Sequence, residues 1–187
     1  MITIKEAITK AQIKEFVTFP FTIYKDNPYW VPPLIQDEID SFEKKKNPVF
    51  LSADAQFFIA YKDGKAVGLI AAIVNWDEIN GQQKKKVRFG WFDVIDDIEV
   101  TKALLEKVYE LGRKHNLEFV EGPIGFSNLD KVGVLIEGFD HIGTMITWYN
   151  HEYYKTHLEQ LGYVKEKEYL ESIFPFSNVD PKTFEKA

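Results

Sequence analysis

The residues with the strongest claim to chemistry lie in the second half of the chain. A stretch from Gly122-Pro123 to about Trp148 carries glycines at 122, 125, 133, 138 and 143 and reads as one long loop. Long loops of this kind often hold functional groups. Asn128 and Asp130 inside it, with Tyr149 and Asn150 at its exit, are the polar side chains that could line a ligand cleft. Ser127-Asn128-Leu129-Asp130 fits a turn or capping pattern equally well. Two carboxylates, Glu121 and Glu137, could each serve as a base, and nothing in the sequence selects between them.

Other chemistries fare worse. Histidines stand at 115, 141, 151 and 157. His151 and His157 are six apart and so face different sides of a helix, and no His-Glu-x-x-His pattern accompanies them. The expectation is no metal. Ser127, Asp130 and His141 lack the Gly-x-Ser-x-Gly elbow of a hydrolase. The chain has no cysteine, which removes disulfides and thiolate nucleophiles and suits a reducing compartment. A net charge of −6 argues against nucleic acid as a partner. The one basic run, Lys84-Lys85-Lys86-Val87-Arg88, reads as a solvated hairpin loop or as a contact for an anionic tail. No signal peptide opens the sequence and no apolar run approaches a membrane span, so a cytoplasmic location is expected.

The elements that must position these residues follow from patterning. Ile2–Lys5 reads as a strand. Thr9 caps a helix bearing Ala11, Ile13, Phe16 and Val17, which Pro20 stops. Three prolines and three large aromatics make 24–33 an ordered, packed loop. Leu34–Lys45 is expected as a second helix. Gln56–Tyr61, Ala66–Asn75 and Val87–Val94 form an antiparallel meander, with Asp63-Gly64 in the first turn. Glu99–His115 is the clearest helix, capped by Asp97. A short strand over Leu117–Glu121, a helix over His151–Leu161 closed by Gly162, and a last strand over Tyr163–Phe174 complete the order. The fold class is α+β, a mixed, mostly antiparallel twisted sheet flanked by helices. Residues 1–175 form one domain, and 176–187 read as the start of a linker.

This order resembles the GNAT superfamily of acyl-CoA N-acyltransferases, most specifically in the short helix with an aromatic pair followed by Gly162-Tyr163. A narrower likeness rests on Asp26-Asn27-Pro28-Tyr29-Trp30-Val31-Pro32-Pro33-Leu34, Gly122-Pro123, Ser127-Asn128, Gly138-Phe139-Asp140, Tyr149-Asn150 and Tyr153-Tyr154. Those segments are similar to a group of bacterial GNAT-like proteins about twice this length, with a second, similar lobe. The expectation is that this chain is an N-terminal lobe, with a companion lobe as one partner and an amine or peptide as the other.

The resemblance implies an acyl-CoA donor, acetyl-CoA or longer. It also implies a carboxylate base such as Glu121 for the attacking amine, and a tyrosine to protonate the leaving thiolate. The family's tyrosine position is Leu158 here, and Tyr154, one turn earlier, takes its place as the candidate. GNAT enzymes hold the pyrophosphate of CoA on backbone N–H groups of a glycine-rich helix start. The matching segment, Val94-Ile95-Asp96-Asp97-Ile98-Glu99-Val100, has no glycine and three carboxylates, so no residue of this chain is assigned to CoA. The alternative is a non-catalytic lobe that binds a peptide, a partner or the companion lobe.

Overall fold

The computed structural model describes residues 1–127, 129–144 and 147–178. Five strands lie side by side in chain order. They are β1 (Ile2–Glu6), β2 (Ala53–Lys62), β3 (Lys65–Asn75), β4 (Lys86–Val94) and β5 (Phe119–Glu121). The first four are antiparallel, and β5 runs parallel to β4. The meander forms where alternation predicts it. Asp63 and Gly64 both take positive φ in the β2–β3 turn, as a two-residue hairpin requires.

Helices cover both faces. On one, α5 (Ile98–Lys114) and α6 (Tyr153–Gln160) lie over Ile70, Ala72, Val74, Phe89, Phe92 and Val94. Val100, Leu104, Leu105 and Val108 of α5 are buried there, as their helical spacing dictates. On the other face, α1 (Lys10–Thr18), α2 (Pro20–Ile23) and α3 (Ile35–Ser41) lie over Phe57, Ile59, Leu69, Ala71 and Ile73. Thr9 caps α1 in a reciprocal capping box with Gln12. Pro20 does not end the path but restarts it, occupying the first position of α2, where its missing N–H costs nothing.

Four expectations change. The helix expected over Leu34–Lys45 is only Ile35–Ser41, because Phe42 turns inward to pack on Phe16 and Phe57. A short helix, α4 (Trp76–Gly81), fills what read as loop, with the Asn75 side chain accepting from Asp77 and Glu78 N–H. The basic run is not solvated throughout: Lys86 and Arg88 are buried, inside the sheet. Tyr163–Phe174 forms no strand and pairs with none among the described residues.

One irregularity sets the function of the sheet. Between the pairs Leu69↔Asp93 and Ala71↔Gly90, two residues of β4 oppose one of β3. Trp91 sits at φ +41° in this bulge. Side chains alternate faces along a strand, so one extra residue exchanges the faces of everything beyond it. Val87 and Phe89 point into the α5 core; Phe92 and Val94 do so too, instead of Trp91 and Asp93. The bulge therefore places Trp91 and Asp93 on the opposite face.

Candidate functional site

On that face, at the C-terminal end of β4, an open-mouthed cleft of about 560 Å³ is formed. Its floor holds Leu69, Trp91 and Asp93; α1 contributes Phe16 and the C-cap of α2 is Tyr24; Trp30, Lys131 and Trp148 stand on loops. The proline-aromatic loop is thus a wall of the cleft, which is why its aromatics are ordered.

Asp93 is the one carboxylate wholly enclosed in this wall, 4% exposed. Its Oδ1 accepts a hydrogen bond from Tyr24 Oη at 2.5 Å and another from Tyr154 Oη at 3.1 Å. The two phenols lie 3.1 Å apart, and each has one proton, directed at the carboxylate. Neither tyrosine engages Oδ2. Burial pushes the Asp93 carboxyl up to about 6, against the opposing effect of the two phenols and of the Lys131 ammonium. Burial, and then the negative charge of Asp93, raise Tyr24 and Tyr154 well above the ordinary phenol value. Both therefore stay neutral donors.

The surrounding rings fix this arrangement. Tyr24 is stacked between Trp30 and His151, at 5.2 and 5.1 Å between centroids. Trp91 donates its Nε1 proton to Glu38 at 2.8 Å and meets Phe42 edge-on. Lys131 Nζ lies 4.9 Å above the ring of Trp148, an ammonium on an aromatic face inside the cleft. Trp148 Nε1 is buried with no hydrogen-bond partner among the described residues. An unpaired buried donor costs about 1–3 kcal/mol.

Among the sequence candidates, Tyr154 is in the site. It is 1% exposed, and its hydroxyl accepts from Val94 N–H at 2.9 Å while donating to Asp93. Tyr149 lines the cleft, edge-on to Tyr24, with its hydroxyl on the Phe139 carbonyl. Asn150 is turned away from it: its side chain clamps both backbone groups of Leu135 and the His151 carbonyl. Asp130 folds back to accept from Ser127 N–H. Asn128 lies outside the described residues. Glu121 is apart from the cleft, in a buried ionic group with Lys86, Arg88 and Glu78. Arg88 there also donates to the carbonyls of Gly125 and Phe126, which ties the chain after β5 to β4. Glu137 is exposed.

Asp93 and Tyr24 were missed by sequence reasoning. The available signal was a break in the alternation at Gly90-Trp91-Phe92 and an aspartate in an otherwise apolar strand. The histidines find other employment. His157 bridges Thr101 Oγ1 and Asp96 Oδ1, and no cluster that could hold a metal exists among the described residues.

Most of the groups that a CoA arm would need are already in use. At the start of α5 the N–H groups of Ile95, Asp97, Val100 and Thr101 are bonded to backbone carbonyls, and that of Glu99 to the Asp97 side chain. A hydrogen bond from Lys62 holds the Asp97 carboxyl below its usual range, so it is ionised where a pyrophosphate would lie. On the side of β4 that faces away from β3, where pairing with β5 ends at Arg88, Val94 N–H donates to Tyr154 and Val94 C=O accepts from Tyr153 at 2.6 Å. The wedge between β4 and the chain after β5 is lined by Phe92, Pro123, Val134, Trp148 and Tyr154. It leaves a void of about 200 Å³, against about 560 Å³ for the cleft over Asp93. The residues present do not fit a CoA arm in that position.

No protein-family model matches the chain. It is 31% identical over 162 residues to Protein YghO of Escherichia coli K12, spanning 87% of this chain and 41% of that protein. It is 29% identical over 163 residues to the bacterial ceramide synthase of Caulobacter vibrioides, spanning 86% of this chain and 42% of that protein. The chain thus covers about two-fifths of the length of these relatives. Among solved structures, a predicted acetyltransferase with acetyl-CoA from Clostridium acetobutylicum superposes with a TM-score of 0.55 at 9% identity, covering 92% of this chain and 96% of that one. AAC(6')-Iy, in complex with a bisubstrate analog, gives 0.54 at 13% identity, covering 94% and 99%. The fold is that of the GNAT acetyltransferases.

Proposed function

We propose that this chain is the amine-binding lobe of an N-acyltransferase, with Asp93 as the group that receives the amine. The observation that carries this reading is the enclosed carboxylate on the β4 bulge, held by Tyr24 and Tyr154 at the floor of an aromatic cleft. An ammonium group binds such a site through the Asp93 charge and the aromatic surfaces of Trp30 and Trp91, the face of Trp148 being held by Lys131. A carboxylate titrating near 6 is ionised at neutral pH, yet is basic enough to take a proton from a bound ammonium as the nitrogen becomes a nucleophile. Tyr24 and Tyr154 act as positioning residues: they fix the carboxylate and keep its charge tolerable in the core. The name of the Caulobacter relative supports the reading, since a ceramide is the N-acyl derivative of a long-chain amino alcohol. The apolar walls around Phe16, Val17, Val31 and Leu69 suit an aliphatic amine.

The test compares octylamine with octanol by calorimetry, on the wild type and on Asp93→Asn. Saturable binding of octylamine, at least tenfold tighter than octanol and reduced about tenfold or more in Asp93→Asn, is the expected result, because a hydrogen bond to a charged group contributes about 1.5–3 kcal/mol. Equal affinity for the two ligands would remove the amine from the account.

A second reading, a lobe that docks on a companion, has its own observation. Val164, Leu170 and Ile173 are 88%, 90% and 85% exposed on the unpaired stretch after Tyr163. Large apolar groups gathered so on one segment are a common mark of a contact surface.

A further inference from the structure

We infer that this lobe takes its amine without holding the CoA of the acyl donor, so that acceptor and donor are bound by different bodies of the longer protein. This rests on the reading of the Asp93 cleft as an amine site. Three independent features converge on it. The first is electrostatic: Asp96, Asp97 and Glu99 crowd the start of α5, and a pyrophosphate there would meet like charge at close range. The second is the hydrogen-bond inventory. A phosphate needs free backbone N–H groups, and from Ile95 to Thr101 five are bonded within the described residues, which leaves those of Asp96 and Ile98, both beside the three carboxylates.

The third feature is steric and lies at the open edge of β4. A chain of amides can lie along an open strand edge only by pairing with its N–H and C=O groups. The open edge of β4 has its Val94 groups closed by two phenols of α6, at 2.9 and 2.6 Å. One of these is Tyr154, which also holds Asp93. A donor arm that displaced Tyr154 would thereby release the carboxylate that the amine needs. The same hydroxyl cannot serve an open donor site and a fixed acceptor site, and here it is committed to the acceptor. His157 reinforces the closure by tying α6 to Thr101 and Asp96 at the start of α5. The relatives extend well beyond the part that this chain matches, and the proposal places the donor site there.

The experiment is a calorimetric titration of the folded 187-residue chain with CoA, followed by octylamine on the same sample, with amide hydrogen exchange at Val94 recorded in parallel. No saturable heat from CoA up to about 1 mM, a bound of roughly −4 kcal/mol, together with unchanged protection of the Val94 amide, is the expected result. A dissociation constant below that bound, or exposure of the Val94 amide on adding CoA, would overturn it. Octylamine binding is read separately. Its absence would dispose of the amine site, whereas CoA binding with octylamine binding intact would dispose of the division between donor and acceptor alone.

Discussion

Asp93 carries most of the argument at the scale of the residue, and its titration has a stability consequence whose sign is fixed. Its carboxyl is raised from 3.8 to about 6 by burial. Well below pH 3.8 it is protonated in both folded and unfolded chains and makes no difference between them. As the pH rises past the unfolded value, the unfolded chain ionises while the folded chain resists, and stability is lost until the pH passes 6. At roughly 1.4 kcal/mol per pH unit the loss is about 3 kcal/mol. Asp93→Asn removes this penalty. Urea unfolding at pH 4 and pH 7.5 should show the variant gaining on the wild type by a few kcal/mol at the higher pH; a difference that does not change with pH would show that Asp93 is not held as described. Amine binding runs the other way and strengthens as the pH rises through 6.

Elements decide where that carboxylate points. The β4 bulge depends on a close approach that a glycine permits: a Cβ at Gly90 would lie 2.5 Å from the Ile124 carbonyl oxygen. Gly90→Ala must displace backbone, with an expected cost of about 1–3 kcal/mol and a weakened octylamine affinity as the β4 bulge shifts. Arg88→Met tests the support beneath. It leaves Glu78 with Lys86 as its remaining ionic partner and strips the carbonyls of Gly125 and Phe126 of their donor, and each buried polar group so left costs about 1–3 kcal/mol. Urea unfolding measures both; a neutral Arg88→Met would mean that the ionic group does not brace the cleft.

Helices and hairpins were legible because their signals are local, as in the Thr9 and Asp97 caps, the Asp63-Gly64 turn and the stripe of α5. The face of Asp93 was not, because it depends on one extra residue opposite β3, a pairing between distant segments. Lys86 and Arg88 misled for the same reason: a basic run looks solvated until Glu78 and Glu121 arrive from other elements to enclose it. The polar loop residues misled differently, since Asn150 and Asp130 spend their hydrogen bonds shaping the loop itself.

For the whole molecule, the GNAT-like order was legible and the last strand was not. Tyr163–Phe174 has the composition of a strand but no partner edge among the described residues, and pairing is what makes a strand. Its amides are expected to exchange with solvent at nearly unprotected rates in this chain, whereas those of β2 and β3 are protected. Leu170→Asp with Ile173→Asp should leave the melting temperature unchanged, since neither side chain touches the core; a marked fall would show that the segment is part of the fold. No helix among the described residues is long and apolar enough to cross a membrane.

The central claim is that the cleft over Asp93 receives an amine through that carboxylate. A calorimetric titration of octylamine at pH 5 and pH 7.5, on the wild type and on Asp93→Asn, tests it most directly. The account predicts saturable binding to the wild type that is stronger at pH 7.5, and weak, pH-independent binding to the variant. Binding of equal strength to both proteins at both pH values, or none to the wild type, would contradict it.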